Sequence, residues 1–179
     1  MLIAGFDEVG RGAWAGPLCV VGVVLKDGEL TDIRDSKFYS QTKRIKLFGD
    51  VVKQAAQISI SWQSSKKIDT HGLGSCLSAA FNECAQQLTA EVYIVDGAVN
   101  YLDIDCSLSM PKADDNYPAV AAASIIAKVL RDSYMHQLAL LDDRFGFEKH
   151  VGYGTKDHRL SLAEYGPTSF HRLSFKGVQ

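Results

Sequence analysis

The sequence predicts an α/β fold, a mixed β-sheet flanked by helices, with a small helical segment at the C-terminal end. Three observations predict it. Two short apolar runs, Leu2 to Phe6 and the valine-rich Leu18 to Leu25, open the chain as strands. Segments of helical spacing then alternate with further short apolar runs, so helices cover a sheet. The stretch from Gly146 to Gln179 is broken by Gly152, Gly154, Gly166 and Pro167, which leaves room for one short helix.

The elements follow in order. Leu2 to Phe6 reads as a strand ending at Asp7. Gly16-Pro17 leads into the buried strand Leu18 to Leu25, and Lys26-Asp27-Gly28 reads as a turn at a hairpin edge. Asp32 to Ser40 is a polar loop. Ser40 is a suitable N-cap for a helix over Gln41 to Ala56. Gln57 to Gln63 alternates through Ile58, Ile60 and Trp62, the period of a strand. Leu73, Cys76, Leu77, Ala80, Phe81, Cys84, Ala85 and Leu88 recur at helical spacing, giving an amphipathic helix over Gly72 to Thr89. Val92 to Val95 is a strand that delivers Asp96 at its end, and Ile104 to Ser109 is a further strand candidate. Pro118 suits the first turn of a long helix reaching about Asp143. Lys156 to Glu164 is the short helix of the tail.

A chain of 179 residues suits one domain over 1–179, with 144–179 as its helical C-terminal segment. Hydrophobic residues make up 46%, which excludes a disordered chain. The net charge is −2, so a nucleic-acid partner would have to be met by a local basic patch. Cys19, Cys76, Cys84 and Cys106 lack metal-binding spacing and read as reduced core thiols, as a reducing cytoplasm would keep them. No signal peptide is visible and no apolar run approaches a membrane span, so a cytoplasmic protein with no membrane partner is expected. No oligomer signal is present; a monomer without an obligate protein partner is expected.

The most informative segment is Asp7-Glu8-Val9-Gly10-Arg11-Gly12. Adjacent carboxylates at a strand end can hold divalent metal, and Gly-Arg-Gly lets main chain approach a polyanion. Asp7 and Glu8 face opposite ways if the strand continues, unless Gly10 turns the chain. If the first strand neighbours Val92–Val95, Asp7 and Asp96 lie side by side. Asp114 precedes the Pro118 helix, where the helix dipole favours negative charge. Clustered carboxylates repel and so expect cations, and oxygen-only ligands select Mg²⁺ or Mn²⁺ over zinc. Each acidic residue taken alone reads better as a solvated surface charge; Asp7-Glu8 together with Gly-Arg-Gly favours the functional reading.

At these residues the sequence resembles the type 2 ribonucleases H, the ribonuclease HII family. The resemblance runs through Gly5 to Gly12, Gly16-Pro17, Asp35-Ser36-Lys37, Asp96-Gly97 and Lys112-Ala113-Asp114. It continues through Pro118 to Lys128, Gly152-Tyr153-Gly154-Thr155, His158, Gly166-Pro167 and His171 to Phe175. It implies a ribonuclease H-like sheet. It implies an enzyme that cuts the RNA strand of RNA–DNA hybrids and nicks duplex DNA 5′ to an embedded ribonucleotide, leaving 3′-hydroxyl and 5′-phosphate ends. It implies that Asp7, Glu8, Asp96 and Asp114 hold two Mg²⁺ or Mn²⁺ ions, that Gly10, Arg11 and Gly12 read the ribose 2′-hydroxyl, and that Tyr153 packs on the following deoxyribose. Lys37, beside Ser36, falls at the substrate. Val151 stands where the family often has a basic residue, and no glutamine-plus-aromatic tail for a sliding clamp is evident.

Other basic groups are less specific. Lys43, Arg44 and Lys46 read as phosphate contacts or as a solvated helix face. Ser124, Lys128 and Arg131 recur at helical spacing, as a phosphate-reaching stripe or an exposed face. The tail from Arg144 carries an excess of Lys and Arg and contains His171 and Arg172, which makes it the better grip on a duplex. Two other readings compete: a non-catalytic hybrid-binding module, and a metal-dependent phosphotransferase on small molecules. The second leaves Gly10-Arg11-Gly12 and the basic tail unexplained.

Overall fold

A computed structural model describes residues 1–26 and 39–179. The strands are β1 (Ile3–Val9), β2 (Leu18–Leu25), β3 (Ala55–Gln63), β4 (Val92–Asp96) and β5 (Ser107–Met110). They form one mixed sheet in the order β3-β2-β1-β4-β5. β1 is antiparallel to β2 and parallel to β4. The expected mixed sheet flanked by helices is the observed architecture.

β2 is buried along nearly its whole length, which its valines suit, because both faces of the sheet are covered there. On one face Ala4, Phe6, Leu18 and Val20 pack on Leu77, Ala80, Phe81 and Cys84 of α3 (Leu73–Ala85). On the other, Cys19, Val21 and Val23 pack on Ala121 to Ala127 of α4 (Pro118–Leu141) and on Val51 of α1 (Gln41–Gln54). α4 comes close because β1 has no side chain at Gly5: a Cβ there would overlap the backbone of Ala119 and Val120.

Several boundaries move. β1 runs past Asp7 to Val9. α1 stops at Gln54 and β3 begins at once at Ala55, two residues early; Ser40 caps α1 as expected, its hydroxyl accepting from Lys43 N. In β3 the polar members of the alternation are the buried ones. Ser61 and Gln63 face α3 and donate to Glu83, at 2.5 and 3.2 Å, while Ile60 and Trp62 are partly exposed on the other face. α2 (Ser65–His71) was not expected, because only Ser65 and Ile68 of its residues are buried and no apolar period marks it. Gly72, at φ 80°, separates it from α3. The expected strand at Ile104 to Ser109 is instead β5. The tail holds the single turn α5 (Phe147–His150) and the expected α6 (Lys156–Tyr165). Cys19, Cys76 and Cys84 are buried free thiols, but Cys106 is exposed, in the loop before β5. Asp27 and Gly28 of the expected hairpin turn lie outside the described residues; the next described strand, β3, follows α1. Among the described residues no helix is long and apolar enough to cross a membrane.

Candidate active site

β1 and β4 run parallel in the middle of the sheet, with Phe6 opposite Val95. The next residue of each strand is an aspartate, so Asp7 and Asp96 lie side by side toward the C-terminal ends of these strands. Because β1 continues, Asp7 and Glu8 diverge. Asp7 lies on the α4 face, where Ser124 hydrogen-bonds it. Glu8 lies on the α3 face, 3.6 Å from the Arg11 guanidinium. Asp96 Oδ1 accepts from Ala113 N at 2.9 Å, which draws a one-turn 3-10 helix, Ala113–Asp115, onto the end of β4. That turn carries Asp114, which is buried. Lys112 reaches it in the left-handed region, at φ 61°.

The electrostatics show mutual repulsion. Burial raises the Asp7 pKa well above the usual carboxylate range, and the charges of Glu8 and Asp96 raise it further. The Glu8 pKa is pushed up to about 7, by burial first and then by Asp96, against the pull of Arg11. Oxygen-only donors whose charges disfavour one another suit a hard divalent cation. Among the described residues no three acidic, histidine or cysteine side chains close around an ion unaided. An open set of this kind suits Mg²⁺ or Mn²⁺, because such ions are held by one or two carboxylates plus substrate phosphate and water.

Gly10 follows directly at φ 96°, and a Cβ there would strike the Arg131 guanidinium and the Pro17 carbonyl. Arg11 and Gly12 are exposed at the rim. The loop they begin is held by two fully buried arginines. Arg131 donates to the carbonyls of Pro17, Ala15 and Val151 at 2.9 to 3.1 Å. Arg172 donates to Gly16 O and, at 3.0 Å, to Arg11 O. Gly152, at φ 85°, lies against the Ala15 carbonyl, and Trp14 N and Ala15 N both donate to Gly152 O. Thus Gly10–Pro17 and the Tyr153 turn form one unit. Tyr153 is half-buried, with the Arg131 guanidinium 5.4 Å from its ring centroid.

These placements correct several expectations. His171 and Arg172, expected on a surface that grips substrate, are both buried, and their polar atoms are spent on their own chain. Ser124 is buried against Asp7 rather than displayed. Lys128 is half-buried and paired with Asp132 at 3.0 Å. With Arg131 buried as well, Ser124, Lys128 and Arg131 form no exposed stripe on this helix. Ser36 and Lys37 lie outside the described residues. Sequence reasoning missed the loop-clamping role of Arg131 and Arg172; the glycines at 10, 16 and 152 are the signal, since main chain so close-packed needs donors for its carbonyls. A cleft of about 620 Å³ lies elsewhere, lined by Pro17, Trp62, Lys66, Tyr134 and Phe170 among others, and none of the four carboxylates reaches it.

The family model for ribonuclease HII matches residues 4–178. The chain belongs to the ribonuclease HII family. A ribonuclease HII of Aliarcobacter butzleri is 39% identical over 97% of this chain and 90% of its own length. One from Thermus thermophilus is 40% identical over 99% and 88%. The crystal structure of ribonuclease H2 from Pyrococcus horikoshii superposes with a TM-score of 0.82 at 25% identity, covering 99% of this chain and 95% of that one. Family membership makes the chain a metal-dependent endoribonuclease of the ribonuclease H type.

Proposed function

We propose that this enzyme hydrolyses the RNA strand of RNA–DNA hybrids and nicks duplex DNA 5′ to an embedded ribonucleotide, leaving 3′-hydroxyl and 5′-phosphate ends. Its role would be ribonucleotide removal from DNA. The observation that carries this reading is the pair of aspartates toward the C-terminal ends of the adjacent parallel strands β1 and β4, with Glu8 and Asp114 at the same end and Gly10–Gly12 directly after them.

Asp7, Glu8, Asp96 and Asp114 hold the metal. Two Mg²⁺ or Mn²⁺ ions bound there would activate the attacking water and stabilise the leaving 3′ oxygen. Ser124 orients Asp7, and Ala113 N orients Asp96. Gly10, Arg11 and Gly12 read the 2′-hydroxyl through main-chain groups; a site built to bond a hydroxyl rejects the analogue lacking it by about 10⁴-fold or more. The 2′-hydroxyl is what separates RNA from DNA. Tyr153, fixed to the same loop, packs on the deoxyribose that follows and favours an RNA-to-DNA junction. The chain acts as one catalytic unit over 1–179. In its 144–179 segment the exposed Lys149, Lys156, Arg159 and Lys176 meet phosphates, and the unit works as a monomer in the cytoplasm.

The test is a DNA duplex carrying one ribonucleotide, incubated with Mg²⁺, Mn²⁺ or EDTA, with product ends mapped. A metal-dependent nick 5′ to the ribonucleotide is expected. Cutting of long hybrids alone would remove the junction role of Tyr153. Binding with no cutting of either substrate would leave a non-catalytic hybrid-binding module.

A further inference from the structure

Behind Tyr153 lie two buried imidazoles whose hydrogen bonds admit one arrangement. Thr168 N, which can only donate, lies 3.0 Å from His171 Nδ1, and the Thr168 hydroxyl lies 3.1 Å from the same nitrogen, so that nitrogen is bare and accepts. His158 Nδ1 lies 3.0 Å from the Tyr153 carbonyl, which can only accept, so this nitrogen carries a proton. The two Nε2 atoms are 3.1 Å apart. In a neutral His158 ring Nε2 is then an acceptor, and His171 must donate through Nε2–H. Every bond points one way, from Thr168 through His171 and His158 to the Tyr153 carbonyl.

We propose that His158 and His171 are positioning residues for Tyr153: a one-way chain of two neutral imidazoles pins its carbonyl and so sets its ring against the substrate. The inference rests on the reading that Tyr153 meets the substrate. The turn is held from two other sides as well. Tyr153 N donates to His150 O, and Thr155 N donates to Tyr153 O. His158 adds the only side-chain bond to that carbonyl among the described residues.

The surroundings favour neutral rings. His158 and His171 are almost wholly buried, packed by Phe145, Phe147 and Trp14. His150 of α5 stacks on His158 at 4.6 Å and opposes a charge there. The backbone of Thr168 and, less strongly, the carboxylate of Asp142 just after α4 favour charge on His171. Arg159 lies over the Trp14 ring and Arg144 over Phe145. Burial and the facing ring hold the His171 pKa down to about 4, and burial lowers that of His158. A proton on either ring would set two donors against each other and break the chain.

The test joins spectroscopy to cleavage. In the intact ¹⁵N-histidine-labelled protein at neutral pH, long-range ¹H–¹⁵N spectra should show His158 protonated at Nδ1 and His171 at Nε2. The reverse tautomers, or cationic rings, would overturn the chain even if no variant folds. In cleavage, His158→Ala should lower the ratio of single-ribonucleotide nicking to long-hybrid cutting by about tenfold, because small misplacements of a positioning group cost this much or more. His158→Asn should restore most of that ratio, because its amide can still donate to the Tyr153 carbonyl. An unchanged ratio in His158→Ala, or equal loss on both substrates, would overturn the proposal. If wild type cuts neither substrate, the functional reading fails, and the tautomers still report on the chain.

Discussion

Asp7 is half-buried beside two other carboxylates, and its raised pKa marks a residue placed for chemistry at the expense of stability. Its replacement separates the two. Asp7→Asn should abolish metal-dependent cleavage while leaving hybrid affinity within a few fold; a variant cutting at the wild-type rate would sink the assignment. The same variant should stabilise the metal-free protein at neutral pH by about 1 kcal/mol, or roughly 2–4 °C in melting temperature for a chain of this size. For Glu8 the sign follows from a folded pKa of about 7 against an ordinary 4.5. The folded state holds the proton more tightly, so this contribution is present below pH 4.5 and is lost as pH rises to about 7. Melts in EDTA should therefore show Glu8→Gln gaining on wild type across that window; a constant offset would contradict it. His171 has the opposite sign: its depressed pKa costs stability as pH falls from 6.5 to about 4. The carboxylates were legible because acidic residues at strand ends beside Gly-Arg-Gly form an unusual group. Buried Arg131 and Arg172 were not, because arginine in a sequence marks surface by default.

At the scale of elements, legibility followed apolar content. β2 and α4 were readable almost to the residue because valine runs and a helix-opening proline are strong local signals. α2 was invisible because tertiary docking of Ser65 and Ile68, not an apolar stripe, holds it. β3 was legible as a strand but not as to which face is buried, since Glu83 on α3 turns its polar side inward. The tightest approach between elements, β1 against α4, depends on Gly5. Gly5→Ala would push a methyl into main chain at Ala119 and Val120, which cannot swing aside as a side chain can. A loss of about 1–3 kcal/mol in urea unfolding is expected. Because β1 carries Asp7 and α4 carries Ser124, cleavage should fall more than substrate affinity. Unchanged stability would show that the two elements separate freely.

Across the whole molecule, the two chain ends close on each other. Leu173 N, Ser174 N and the Ser174 hydroxyl donate to Asp69 in α2. Arg172 N donates to Trp14 O at 2.7 Å while its guanidinium holds Gly16 and Arg11. The last residues therefore set the position of Gly10–Gly12, which follow the first strand. This connection spans more than 150 residues of sequence, and no local pattern reports it. It also separates two roles for Arg172. If Arg172 met a phosphate, its substitution would lower the slope of log affinity against log salt by about 1. A buried clamp would leave that slope unchanged. Its removal would instead cost about 3–5 kcal/mol of stability or block folding, because two carbonyls, Gly16 O and Arg11 O, lose the guanidinium at once. Arg172→Lys keeps the charge but cannot reach Gly16 and Arg11 together through a planar fork. It should fold with a reduced melting temperature, bind a hybrid with the wild-type salt slope, and cut it more slowly. A shallower slope in Arg172→Lys, with the melting temperature preserved, would return Arg172 to the nucleic-acid interface.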